Sequence, residues 1–107
     1  MTSQKEAVRL GGISVYLENG FDHDRVTVSA GDEEHTEPDV TTRYQVGLAS
    51  VVELDASATT VTVRVEVPER GLTAEAEVDP AATPYVRVNI ADGSLDVQPD
   101  ASMPRFV

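Results

Sequence analysis

A chain of 107 residues with 40% hydrophobic content has the size of one globular domain with a single modest core. It has no cysteine, and its nineteen Asp and Glu against eight Lys and Arg leave a net charge of −11. Disulfide scaffolds, thiolate nucleophiles and cysteine-held metals are thereby excluded, and so is binding to nucleic acid or an anionic membrane, which requires clustered Lys or Arg.

Lys5 is the single lysine, and the other seven basic residues are arginine. A GC-rich genome fits that bias. So does adaptation to concentrated salt, where an acidic surface stays soluble while screening shortens its self-repulsion. Salt adaptation is the expectation. The chain holds seventeen valines, no tryptophan and five aromatics (Tyr16, Phe21, Tyr44, Tyr85, Phe106). β-Branched side chains suit a pleated surface, so this composition favours sheet over helix. A core poor in rings buries little area per side chain, which predicts modest stability supplemented by oligomerisation or docking.

In chain order, residues 1–12 read as an arm, with one helical turn around 4–9 and Gly11-Gly12 at its end. The arm lacks the apolar centre of a signal peptide, and no stretch approaches the ~20 apolar residues of a membrane span. A cytoplasmic location, or a place in an assembled particle, is the corresponding expectation. Residues 13–18 and 25–30 alternate apolar and polar side chains. Pairing Glu18 with Arg25, Leu17 with Val26, Val15 with Val28 and Ile13 with Ala30 predicts a first hairpin. Residues 31–39 are too polar for a core element and read as an exposed crossover. Val40, Thr42, Tyr44, Val46 and Leu48 then fall on one face of a third strand, with Gly47 as a bulge or bend. Residues 51–54 resume as a short strand.

The clearest signal is residues 61–67 and 72–78, alternating on both sides of Pro68-Glu-Arg-Gly71. Pairing Val67 with Leu72 sets Val65 against Ala74, Val63 against Ala76 and Val61 against Val78, with Arg64 opposite Glu75. Residues 79–84 hold two prolines and read as a rigid link between sheets. A last hairpin turns on Asp92-Gly93, a preferred type I′ pair, matching Ile90 with Leu95 and Val88 with Val97. Residues 99–107 read as an extended tail. The sum is an all-β fold, an antiparallel β-sandwich of about 7–8 short strands over 13–98, with immunoglobulin-like or related Greek-key topology by analogy.

Enzymatic motifs are absent: there is no Gly-x-Ser-x-Gly, no His-Glu-x-x-His, no phosphate-cradling glycine loop and no dinucleotide fingerprint. His23 and His35, the two histidines, sit in polar segments with no reason for a tuned pKa. A hydrolase working through a carboxylate pair ranks third, since no pair can be named among so many acids. The alternative chemistry is a small ligand or divalent metal held by loops 19–24 and 31–39, where Asn19, Asp22, His23 and Asp24 face a segment holding Asp32, Glu33, Glu34, His35, Glu37 and Asp39. These loops lack the spacing of an EF-hand, and no cofactor or metal is assigned.

Phe21 is an apolar ring in a polar loop, either a plug over the sheet ends or a contact residue. Met103, Phe106 and Val107 make an apolar tail that docks on its own sandwich or reaches a neighbour. The expected function is a non-enzymatic structural or interaction module that packs into a larger assembly, such as a particle, virion or surface complex. Its partner is another protein or its own copy, with Phe21, His23, Met103, Phe106 and Val107 as contact residues.

Overall fold

The computed structural model describes residues 12–55 and 60–104. Eight strands carry the chain: β1 (Ile13–Leu17), β2 (Asp24–Ala30), β3 (Glu33–Val40), β4 (Ser50–Leu54), β5 (Val61–Val67), β6 (Leu72–Val78), β7 (Tyr85–Ala91) and β8 (Ser94–Asp100). They form two four-stranded sheets, ordered β4-β1-β7-β8 and β3-β2-β5-β6, packed face to face as a β-sandwich. The helical turn expected around residues 4–9 lies outside the described residues.

Alternation explains the packing. Ile13, Val15 and Leu17 of β1, Val86 and Val88 of β7, Val26 and Val28 of β2, and Val63, Val65 and Val67 of β5 are all buried. Each such side chain contributes about 1.5–3 kcal/mol by leaving water. The β5–β6 hairpin pairs in the expected register, from Val67 with Leu72 to Val61 with Val78. Arg64 does stand opposite Glu75, but its guanidinium is closer to Glu66 (3.0 Å) than to Glu75 (3.9 Å). The final hairpin also matches: Ile90 faces Leu95, Val88 faces Val97, and Asp92 and Gly93 have φ of 54° and 73°. Two successive left-handed residues make the type I′ turn, which glycine accepts without strain. The proline-containing link 79–84 carries the chain from one sheet to the other, as expected. β8 runs on to Asp100, so the first residues assigned to the tail complete the sheet.

Three expectations are corrected. β1 and β2 do not pair. β1 is antiparallel to β4 and parallel to β7, while β2 lies in the other sheet between β3 and β5. Alternation places side chains inward equally well for two strands that pair and for two that face each other, so the apolar match carried no information about pairing. Residues 33–40, read as a crossover, form the edge strand β3. Glu33, His35 and Glu37 occupy the same face as their partners Ala30, Val28 and Val26 but are not buried. Charge pointing toward the core side is tolerated at an open edge, and it hides the strand from a hydrophobic pattern.

The strand expected over 40–48 ends at Val40. Residues 43–47 fold into a turn closed by Arg43 and Leu48, with Tyr44 left 73% exposed. An immunoglobulin domain keeps its first and second strands in one sheet; here they are in different sheets, so the sandwich is shared and the strand order differs.

The β1–β2 crossing passes so close to β7 that a Cβ on Gly20 would lie 2.2 Å from the carbonyl oxygen of Ile90, and its φ is 92°. Gly71 also has positive φ (67°) but has nothing within 4 Å of that position. Gly71→Ala should therefore cost about 1 kcal/mol from backbone conformation alone. Gly20→Ala should exceed it by roughly 2 kcal/mol, because backbone must also move. Urea denaturation of both variants checks this, and equal losses would show that the crossing relaxes freely.

Candidate functional site

Of the polar residues singled out by sequence, Asn19, Asp22, His23, Asp24 and Asp39 gather at the end of the sandwich where residues 18–23 pass from β1 to β2, whereas His35 lies midway along β3 and Glu33 and Glu34 pair with Ala30 and Ser29 at the far end. Thr42, buried, ties this crossing together. Its hydroxyl donates to the Glu18 carbonyl (2.7 Å) and accepts from the Phe21 amide (3.0 Å), while its own amide donates to the Phe21 carbonyl (2.9 Å). Phe21 is fully buried in the core cluster. Of its two readings the plug is the one observed, and Phe21 leaves the set of partner contacts.

Two bidentate ion pairs flank this latch. Arg87 Nε donates to Glu18 Oε2 (2.8 Å) and Arg87 Nη2 to Glu18 Oε1 (3.2 Å), with Asn89 Nδ2 adding a third bond at 3.1 Å. Arg70 Nε donates to Asp24 Oδ1 (2.9 Å) and Arg70 Nη2 to Asp24 Oδ2 (2.7 Å), and the same Nη2 reaches the Gly20 carbonyl at 3.1 Å. Glu18 and Asp24 are buried, which is acceptable only because each carboxylate is paired and hydrogen-bonded. Hydrogen bonds to these carboxylates hold the Arg70 and Arg87 guanidiniums above their usual range against partial desolvation. Arg70 comes from the one-turn 3₁₀ helix Pro68–Arg70, which brings the β5–β6 connection over the crossing.

His23 stands on the solvent side of this network with φ of 52°. Its amide donates to Thr41 Oγ1 (2.9 Å) and its Nδ1 to Asp39 Oδ1 (3.0 Å). That bond, followed by the fields of Asp39 and Asp22, raises the imidazole pKa above 6.5. His35 pairs with Glu37 at 2.6 Å on β3. The acids of the two polar segments are thus partly committed to protein partners. Among the described residues no group of three or more His, Asp or Glu side chains converges to hold a metal ion.

Met103 is 59% exposed, and the next residue, Pro104, is buried. Met103 follows the end of β8, where Asp100 pairs with Tyr85 and Tyr85 with Ser14. His23 belongs to the opposite end, beyond Leu17 and Val88, so the two do not share a surface. Phe106 and Val107 lie outside the described residues. Sequence reasoning passed over Tyr16 and Tyr85, whose rings meet at 6.4 Å and 53° on the outer face of the β4-β1-β7-β8 sheet. Burial, then Glu53 and Tyr85, raises the Tyr16 pKa. Their outward place in strongly alternating strands was the available signal.

No protein-family profile, curated protein or solved structure matches the chain. Among the described residues no helix is long and apolar enough to cross a membrane.

Two outcomes follow. Arg87→Met strands a buried carboxylate and should cost about 3 kcal/mol in chemical denaturation, whereas an unchanged midpoint would mean water replaces the guanidinium freely. By NMR His23 should titrate above 6.5, and Asp39→Asn should bring it back toward 6.5. Because folding raises this pKa, the stabilising contribution is complete below 6.5 and lost as pH climbs through the raised value.

Proposed function

We propose that the chain is a non-enzymatic interaction module, a β-sandwich that packs into a larger protein assembly such as a particle, virion or surface complex. Its loops, an edge strand and its terminal arms make the contacts, with another protein or with its own copy. The distribution of large apolar side chains supports this reading. Tyr44 and Met103 project outward, joined by Val46 and Val51 at the margin of exposure. Tyr44 rides on a turn braced by amides of Val46 and Gly47 donating to the Arg43 carbonyl at 3.1 and 2.8 Å. An exposed tyrosine on a hydrogen-bonded turn is the kind of residue that interfaces use as an anchor. The same placement separates the contacts into two ends, which suits a component with neighbours on either side.

Salt adaptation belongs to the same reading. An acid excess of this size repels itself until counterions screen it, so the melting temperature should climb steeply with salt, and a flat response would remove it.

The test is affinity capture from the native source in its own salt, with light scattering on the purified chain. Tyr44→Ser and Met103→Ser should leave the melting temperature unchanged. One or both should weaken partner binding or self-association by about tenfold, the loss expected of a buried anchor. A chain that stays monomeric at every salt concentration and captures no protein overturns the reading.

A further inference from the structure

Among the described residues each sheet ends in two strands with one side unpaired, and three of these four edges carry features that block strand addition. β3 has Pro38, a register shift against β2 between Asp24 and Val26, and Glu33, His35 and Glu37 on its core-side face. β8 carries Pro99. β4 is only five residues long. Such devices keep sheet edges from pairing with other chains. β6 has none of them. It is seven residues of unbroken antiparallel register, with no proline and no charge among its core-side residues Leu72, Ala74, Ala76 and Val78.

The side chains along this edge are also incompletely covered. Leu72, Ala74 and Ala76 are only half-buried, as are Leu95 and Val97 on the neighbouring β8. β6 and β8 run beside each other with Cα atoms within 8 Å, although they share no ladder. The result is a strip of small apolar surface along an open strand. Thr73, Glu75 and Glu77 line the outer face of β6. Glu75 is 3.9 Å from an arginine that favours Glu66, and Glu77 has no Lys or Arg partner among the described residues.

We infer that β6 is a docking edge for an extended segment of a partner protein in which basic and apolar residues alternate. This deepens the interaction-module reading and rests on it. Main-chain hydrogen bonds continue the sheet, apolar side chains of the guest lie on the Ala74–Ala76 strip, and its basic side chains meet Glu75 and Glu77. The molecule already uses this chemistry once, where Arg64 of β5 stands opposite Glu75. A second copy is the poorer occupant. Antiparallel pairing of β6 with itself over its full length sets Glu75 against Glu75, and like charges opposite one another destabilise a sheet.

The probe is a synthetic heptapeptide of alternating arginine and valine, compared with a peptide of the same composition in two blocks and with an alternating glutamate–valine peptide. Binding to the full chain is followed by fluorescence anisotropy, and amide exchange locates it, at the lowest salt that keeps the chain folded. The alternating basic peptide should bind more tightly than the blocked one and slow exchange on β6. Glu75→Lys combined with Glu77→Lys should weaken it by roughly three- to tenfold and admit the glutamate–valine peptide instead. Equal binding of the blocked peptide, protection on β3 rather than β6, or indifference to charge reversal overturns the inference. So does light scattering that finds a dimer with β6 amides already protected. Failure here with Tyr44- and Met103-dependent capture intact removes the β6 edge alone. Peptide binding on β6 with no capture removes the broader assembly reading and leaves the edge standing.

Discussion

The chain must pass from β1 in one sheet to β2 in the other over the open end of the sandwich, and the hydrogen bonds of Thr42 make that passage possible. A crossing of this kind takes backbone amides and carbonyls away from either ladder, where each must find another partner. Thr42 satisfies the Glu18 carbonyl and both polar groups of Phe21 at once. With its backbone so satisfied, the Phe21 ring can enter the core. The ring seals this end of a core in which eleven of the seventeen buried residues are valine.

The two ion pairs follow from the same geometry. Glu18 and Asp24 sit where the chain leaves one sheet and joins the next, and both are drawn under the surface. Arg87 from β7 and Arg70 from the β5–β6 connection reach over them, one from each sheet. A buried pair of this kind adds little net stability over an apolar substitute, yet breaking it is costly. One of the acidic residues that looked like candidate ligands in the sequence, Asp24, is instead buried in an ion pair with Arg70.

Sequence and structure agree where the pattern was local. The registers of the β5–β6 and β7–β8 hairpins were legible, because apolar alternation agreed with cross-strand charge in the first and with turn chemistry in the second. The pairing of β1 was not legible. Its partners come from residues 50–54 and 85–88, and nothing near β1 names them. Glu18 and Arg25 suggested a local pair, but each carboxylate could equally attract a distant guanidinium, and Arg87 took it. β3 escaped notice because an overhanging edge needs no apolar face. Of the candidate contacts, the exposure of His23 was legible from its polar loop, that of Met103 was left open between docking on the sandwich and reaching a neighbour, and the burial of Phe21 depended on a threonine twenty-one residues away.

The parallel ladder between β1 and β7 also sets an order on how the protein is made. Residues 14–17 cannot find their neighbours at 85–88 until most of the chain has left the ribosome. The second sheet, β3-β2-β5-β6, has all its members by residue 78 and can close first. During synthesis the first strand can thus meet β4 early, while its other side is held in waiting until β7 has been made.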